Sequence, residues 1–456
     1  MIDLEASDRP SVLLDFRASN VRSFRDPISF SMRASTMSER SVVRPIEWNL
    51  TGQELDVVPV AGVFGANGSG KTNLLRAMHD LRSHVLHSFR TARSPMGGVT
   101  RRPFLLDDAQ RTEPSRFEID LILKGVRYEY AFAADDDGYL FESAHYFPKG
   151  RPRLLFEREG QSVNLGADAK AKGRSVVEIL RANALFLSTA AFAGHPVLSE
   201  LYAWFSRNLI LADARTRAHR QDYTSEMISQ EDRRDSVLEL LRLVDSGIVD
   251  VKRQRMDPVM HERLRRAVRI VMGEEDEPEG VSDETPPPDL GVRLAHRGTQ
   301  REPVEFDSED ESLGTLVWFG VVGPVVDALA DGCVFLADEI DASLHPELSR
   351  QLVRVFQSQR TNPRRAQLIF NSHDTNLLGG TDQQLLGRDQ VWLVHKESDG
   401  SSRLHQLAEY SPRKDAALSR RYLAGQFGAV PTITDDDVDR AVLHALEQSH
   451  HGRPPR

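Results

Sequence analysis

Residues 57–72 read Val57-Val58-Pro59-Val60-Ala61-Gly62-Val63-Phe64-Gly65-Ala66-Asn67-Gly68-Ser69-Gly70-Lys71-Thr72, a nearly continuous apolar run that ends in a glycine-rich octet. The run predicts a buried strand. Beyond it Leu74, Leu75, Met78, Leu81, Val85 and Phe89 recur at helical spacing, so the expected order is strand, glycine loop, helix. The octet Gly65 to Thr72 fits the phosphate-binding loop pattern in full. Its glycines let successive backbone N–H groups turn inward around phosphate oxygens, and the following helix points its positive N-terminus at the same anion. Lys71 would neutralise phosphate charge and the Thr72 hydroxyl would ligate Mg²⁺. A chance glycine turn is the alternative, and an apolar strand before with an amphipathic helix after speaks against it.

A second strand-like run, VFLADEID, ends in Asp338 and Glu339. Asp338 is expected to hold the metal, directly or through water, and Glu339 to act as general base toward the attacking water. An acidic helix N-cap is the other reading. Further on, AQLIF runs into Asn371-Ser372-His373-Asp374, where His373 would reach a terminal phosphate or stand as an ordinary surface histidine. Ser312-Leu313-Gly314-Thr315 opens a helical stretch, and Ser312 taken alone would be only its N-cap.

Working outward, 12–17 and 28–33 alternate like strands, while 117–123 and 126–133 flank Lys124-Gly125 as a hairpin, followed by strand-like 139–147 and 153–158. These predict an antiparallel side sheet. From about 174 the pattern turns helical, and 273–288 combines carboxylates, no basic residue and Pro286-Pro287-Pro288, a composition that reads as a solvated linker. After it, helical and strand patterns alternate again, as in a parallel sheet. The expected class is therefore α/β: a discontinuous head at 1–160 and 290–456, interrupted by a mainly helical insertion at 161–289.

The 456 residues suffice for a large core, and 58 basic against 68 acidic residues give a net charge of −10, which does not mark the whole chain as a nucleic-acid binder. Cys333 is the single cysteine, so an internal disulfide and cysteine-based metal cages are excluded. No apolar run is expected to reach the roughly 20 residues that cross a bilayer. The acidic start MIDLEASDRP is unlike a signal peptide, and a cytoplasmic location with no membrane partner is expected.

Taken together, the phosphate loop, the 312–315 stretch 26 residues before Asp338, the Asp338-Glu339 strand end, Asp341-Ala342-Ser343-Leu344-His345-Pro346 and His373 resemble the heads of ABC-type ATPases. More narrowly, NVRSF (20–24), PFLLDD (103–108), FPKG (147–150), SLHP and GQFGAVP (425–431) are similar to prokaryotic SMC-like "AAA family ATPases" of abortive-infection and phage-defence operons. The resemblance implies a P-loop NTPase fold, ATP and Mg²⁺ as ligands, and ATP hydrolysis with Glu339, His373 and Lys71 in catalytic roles. It also implies a homodimer that sandwiches ATP, with Ser312 and Gly314 of one subunit on the γ-phosphate held by the other. A nucleic acid or an operon-encoded effector would be the partner, and an ATP-gated scaffold restraining a toxin is the alternative. Two features depart from the pattern: no Q-loop glutamine follows the phosphate-loop helix, and the 312–315 stretch lacks the second half of the usual signature.

Two weaker signals keep both of their readings. Residues 252–271 carry seven basic and two acidic side chains, which suits nucleic-acid phosphate or a solvated helix face. The run Asp435-Asp436-Asp437-Val438-Asp439 reads as an acidic first helical turn rather than a metal site.

Overall fold

The computed structural model describes residues 11–36, 38, 41–92, 97–255, 263, 289–299, 302–379, 385–410, 418–428, 430 and 435–451. The expected linker at 273–288 lies outside them. At the centre is a six-stranded sheet in the order Ile210–Ala212, Val334–Ala337, Gln367–Asn371, Val60–Phe64, Val391–Lys396, Ser402–Gln406. The first five strands run parallel and the last is antiparallel. Both faces of this sheet are covered, which is why its inner strands Val334–Ala337, Gln367–Asn371 and Val60–Phe64 are buried throughout rather than alternating.

Side chains alternate between two cores along each central strand. Val60 and Phe64 face one core with Leu352, Val353 and Phe356 of the Pro346–Gln357 helix. Ala61 and Val63 face the other, where Leu74, Leu75, Met78 and Leu81 of the Lys71–Thr91 helix pack. Against the far side of that helix lies a seven-stranded antiparallel sheet, ordered Ser162–Leu165, Arg153–Glu159, Tyr139–Tyr146, Val126–Ala134, Ser115–Leu123, Val12–Ser19, Ile28–Ser31. The expected hairpin is present, with Lys124 at φ 51° and Gly125 at φ 75°, the two positive angles that a tight two-residue hairpin turn needs.

The stretch expected as a helical insertion divides differently. Helices Lys170–Ile179, Phe186–Phe192 and Pro196–Arg207 bury Val176, Phe186, Leu198, Leu201 and Phe205 in the same core as the phosphate-loop helix, and Ile210–Ala212 joins the central sheet. What folds away from the sheet starts after Asp213: helices Arg217–Ile228 and Glu231–Arg242 with a three-stranded antiparallel sheet of Ile248–Arg255, Asp289–His296 and Val304–Asp307. In IVDVKRQR an irregularity between Ile248 and Asp250 resets the strand's alternation, so that both Ile248 and Val251 enter one core, although its basic residues suggest a helix face. Residues 252–255 are therefore strand, Arg263 is helical and exposed, and the rest of the 252–271 run lies outside the described residues.

Helix Leu313–Asp331 joins the two units. Trp318, Phe319 and Val322 pack with Leu238, Leu241, Val251 and Leu294, while Val325 and Ala328 contribute to the core under the central sheet. Serving two cores makes it apolar all round, and by length and composition it is long and apolar enough to cross a membrane. This corrects the expectation that no run approaches that length. The acidic run at 435 begins helix Asp435–His451, as expected of a first turn.

Candidate functional site

Parallel pairing brings three strand ends to one edge: Val63 lies opposite Asn371, and Ala337 opposite Phe370. The glycine loop, Asp338 and Asn371 therefore emerge side by side, where open α/β sheets bind ligands. The glycine loop and Asp338 line a cleft of about 810 Å³ together with Lys71, Thr72, Arg76, Glu339, Asp341 and His373, while Asn371 is buried behind Asp338.

The glycine loop takes its shape from backbone that other residues avoid. Gly70 has φ 114°, and a Cβ there would meet Ser402 Oγ at 2.4 Å and Ser23 Oγ at 2.8 Å. Those hydroxyls brace the loop: Ser402 Oγ donates to Ser69 O (2.5 Å), Ser402 N to Ser23 O (2.7 Å), and Asn73 Nδ2 to Ser23 Oγ (2.9 Å). The Lys71 ammonium folds over the loop and donates to Gly65 O (2.9 Å) and Ala66 O (3.1 Å). Burial lowers Lys71 to about 8, against the opposing pull of Glu339, Asp341 and Asp338. Gly65, Ala66 and the buried Ser69 shape the loop from behind, while Asn67, Gly68, Gly70, Lys71 and Thr72 line the cleft.

Thr72 Oγ1 donates to Asp338 Oδ1 at 2.7 Å. Asn371 completes the arrangement: its Nδ2 donates to the same oxygen at 2.6 Å, and its Oδ1 accepts from Glu339 N at 2.5 Å. Glu339 sits at φ 54°, a left-handed conformation uncommon for a non-glycine residue, and its side chain is exposed to the cleft. His373 lies on the same wall, where its backbone N–H donates to Asp341 Oδ2 at 3.3 Å. Partial burial, and then the Lys71 charge, hold the His373 imidazole below its usual range, which keeps it neutral at pH 7. The residues fit a Mg²⁺–nucleotide: a glycine loop at a helix N-terminus, a cation, and a hydroxyl and carboxylate in contact, groups that suit phosphate and a hard cation.

Ser312 and Gly314 do not line this cleft. Ser312 Oγ accepts from Thr315 N at 3.0 Å and caps the Leu313–Asp331 helix, and a Cβ on Gly314 would stand 2.8 Å from Ser343 O. Three residues were missed from the sequence. Asn371 ends the strand Gln367–Asn371, and only the pairing of that strand with Val334–Ala337 brings its amide to Asp338. Arg76 lies one helical turn beyond Thr72, so it shares its face. Asp213 ends the short apolar run ILA, and its side chain accepts from Arg215 N (3.0 Å) and Thr216 N (3.1 Å).

A search of curated proteins finds no match to the chain. Among solved structures the chain is similar to one titled "Crystal structure of the SmcHead bound to the C-winged helix domain of ScpA", with 12% identity over 88% of this chain and 99% of that one and a TM-score of 0.33. Residues 60–379, most of the chain, match the family described as "AAA domain, putative AbiEii toxin, Type IV TA system", a stretch that runs from the strand before the glycine loop to just past His373. The chain therefore belongs to the AbiEii toxin-like AAA domain family, and its α/β head is a P-loop ATPase domain.

Proposed function

We propose that the chain binds ATP with Mg²⁺ in this cleft and hydrolyses it, with Glu339 as general base, as a nucleotide-gated homodimer. The observation that carries the reading is the convergence of Lys71, Thr72, Asp338, Glu339 and His373 on one cleft from three separate strand ends. Mg²⁺, when bound, would supply charge neutralisation and hold phosphate oxygens. The chain's own part is positional. Loop N–H groups and Lys71 fix the phosphates, Thr72 and Asp338 hold the metal side, Glu339 takes the proton of the attacking water, and neutral His373 donates toward the terminal phosphate.

Dimerisation through Ser312 and Gly314 is supported by the exposure of Ser312 at a helix N-terminus, whose hydroxyl, N–H groups and dipole favour an anion. The contact of Gly314 with Ser343 ties that helix start to the turn beyond Glu339. In a cytoplasmic setting of phage defence, opening and closing of such a dimer would report on a nucleic acid or an effector protein. The toxin named in the family description favours a second reading, in which ATP gates a scaffold that restrains an effector and hydrolysis is slow. Light scattering tests the dimer. Glu339→Gln with ATP and Mg²⁺ is expected to double in mass, and adding Ser312→Arg should return it to monomer while ATP still binds. A mass independent of nucleotide, or a dimer indifferent to Ser312→Arg, would leave Ser312 a helix cap and nothing more.

A further inference from the structure

Asp338 meets protein groups at both of its oxygens, by hydrogen bonds at Oδ1 and by a longer ion pair at Oδ2. Thr72 and Asn371 donate to Oδ1, and Oδ2 lies 3.9 Å from Arg76 Nη2. The same Nη2 stands 3.4 Å from Oδ2 of Asp213, whose side chain is only 5% exposed. A single guanidinium nitrogen is thus shared by two carboxylates that arrive on adjacent strands, since Ala212 pairs with Ala337 and Asp338 N donates to Ala212 O at 2.9 Å. Arg76 Nε is buried without a hydrogen-bond partner, so the group is held by charge and packing rather than by a saturated bonding set.

We propose that Arg76 is a positioning residue that serves as a built-in cation for the Asp213–Asp338 pair and thereby makes metal loading depend on nucleotide. The proposal rests on the ATP and Mg²⁺ reading of the cleft. Two carboxylates this close to one point would attract a divalent ion if nothing neutralised them, because hard cations take carboxylate oxygens as ligands. The Arg76 charge sits at that point and opposes a second cation. Phosphates bring the additional negative charge that a metal ion needs, so metal and nucleotide load together.

Mn²⁺ titration of the nucleotide-free protein, followed by the loss of the free-ion electron paramagnetic resonance signal, provides the test. Wild type is expected to bind no Mn²⁺ in the range where Arg76→Gln binds it at least tenfold more tightly. Arg76→Lys should restore the wild-type behaviour, and Arg76→Gln with Asp213→Asn should lose the gain. ATP binding at saturating Mg²⁺ is measured on each variant, so a failure of the nucleotide reading shows as no ATP binding at all. Should Arg76→Gln not fold, Asp213→Asn alone decides. With Arg76 left to Asp338, the Mg²⁺ concentration that half-saturates ATP binding should rise several-fold. Unchanged Mn²⁺ affinity in folded Arg76→Gln, or an unchanged Mg²⁺ requirement in Asp213→Asn, overturns the proposal.

Discussion

The edge of the central sheet that carries Gly65, Asp338 and Asn371 and the unit built from helices Arg217–Ile228 and Glu231–Arg242, the strands Ile248–Arg255, Asp289–His296 and Val304–Asp307 and the Leu313–Asp331 helix obey different rules. At the edge, polar groups bond one another in a chain from Thr72 through Asp338 and Asn371 to Glu339 N, and each link is set by atom type as well as shape. In the other unit the contacts are Trp318, Phe319, Val322, Leu238, Leu241 and Leu294, where volume decides and many apolar side chains would serve. A residue changed at the edge should therefore alter chemistry with little loss of stability, whereas a residue changed in the unit should do the reverse.

The largest effect on the chemical side is expected at Lys71. Lys71→Ala removes the cation that covers the loop carbonyls, and ATP affinity in titration calorimetry should fall on the order of 100-fold while the melting temperature stays near wild type. Equal affinity would remove Lys71 from phosphate binding. A smaller loss belongs to Asn371→Ala, which frees Asp338 and the Glu339 N–H from a shared anchor. Turnover at saturating ATP should drop by about tenfold, the scale found for groups that orient metal ligands. Wild-type turnover there would make the Asn371 contacts incidental. The smallest effect is one of pH. Lys71, lowered to about 8 by burial, is partly neutral above that pH, and phosphate would restore its charge. ATP binding should therefore take up protons near pH 8.5 and weaken as pH rises further, which calorimetry in buffers of different ionisation enthalpy measures. Proton release would reverse the sign and contradict the assignment.

The same contrast explains what could be read without coordinates. Gly65 to Thr72 and Asp338-Glu339 were legible because their chemistry demands particular residues at fixed spacing after an apolar strand. The Lys124-Gly125 hairpin was legible for a related reason, since few residues tolerate two positive φ angles. Asn371 and Arg76 were not, because an amide beside a carboxylate or an arginine one turn along a helix becomes informative only when the strands are side by side. The strand Ile248–Arg255 was not legible, because its basic residues suit a helix face equally well, its alternation is broken between Ile248 and Asp250, and its partner strand Asp289–His296 lies far along the chain.

Glu339 offers the most direct test of ATP hydrolysis in this cleft. Its backbone is held at φ 54° with its N–H on Asn371, so replacing the carboxylate with an amide should leave the loop and the nucleotide contacts in place. Phosphate release and equilibrium ATP binding are measured together on wild type and Glu339→Gln. The expected result is ATP-dependent release by wild type, with unchanged binding and at least about 100-fold slower release by the variant, the range for loss of a general base. Phosphate release at the wild-type rate from Glu339→Gln, or none from wild type despite bound ATP and Mg²⁺, would contradict it.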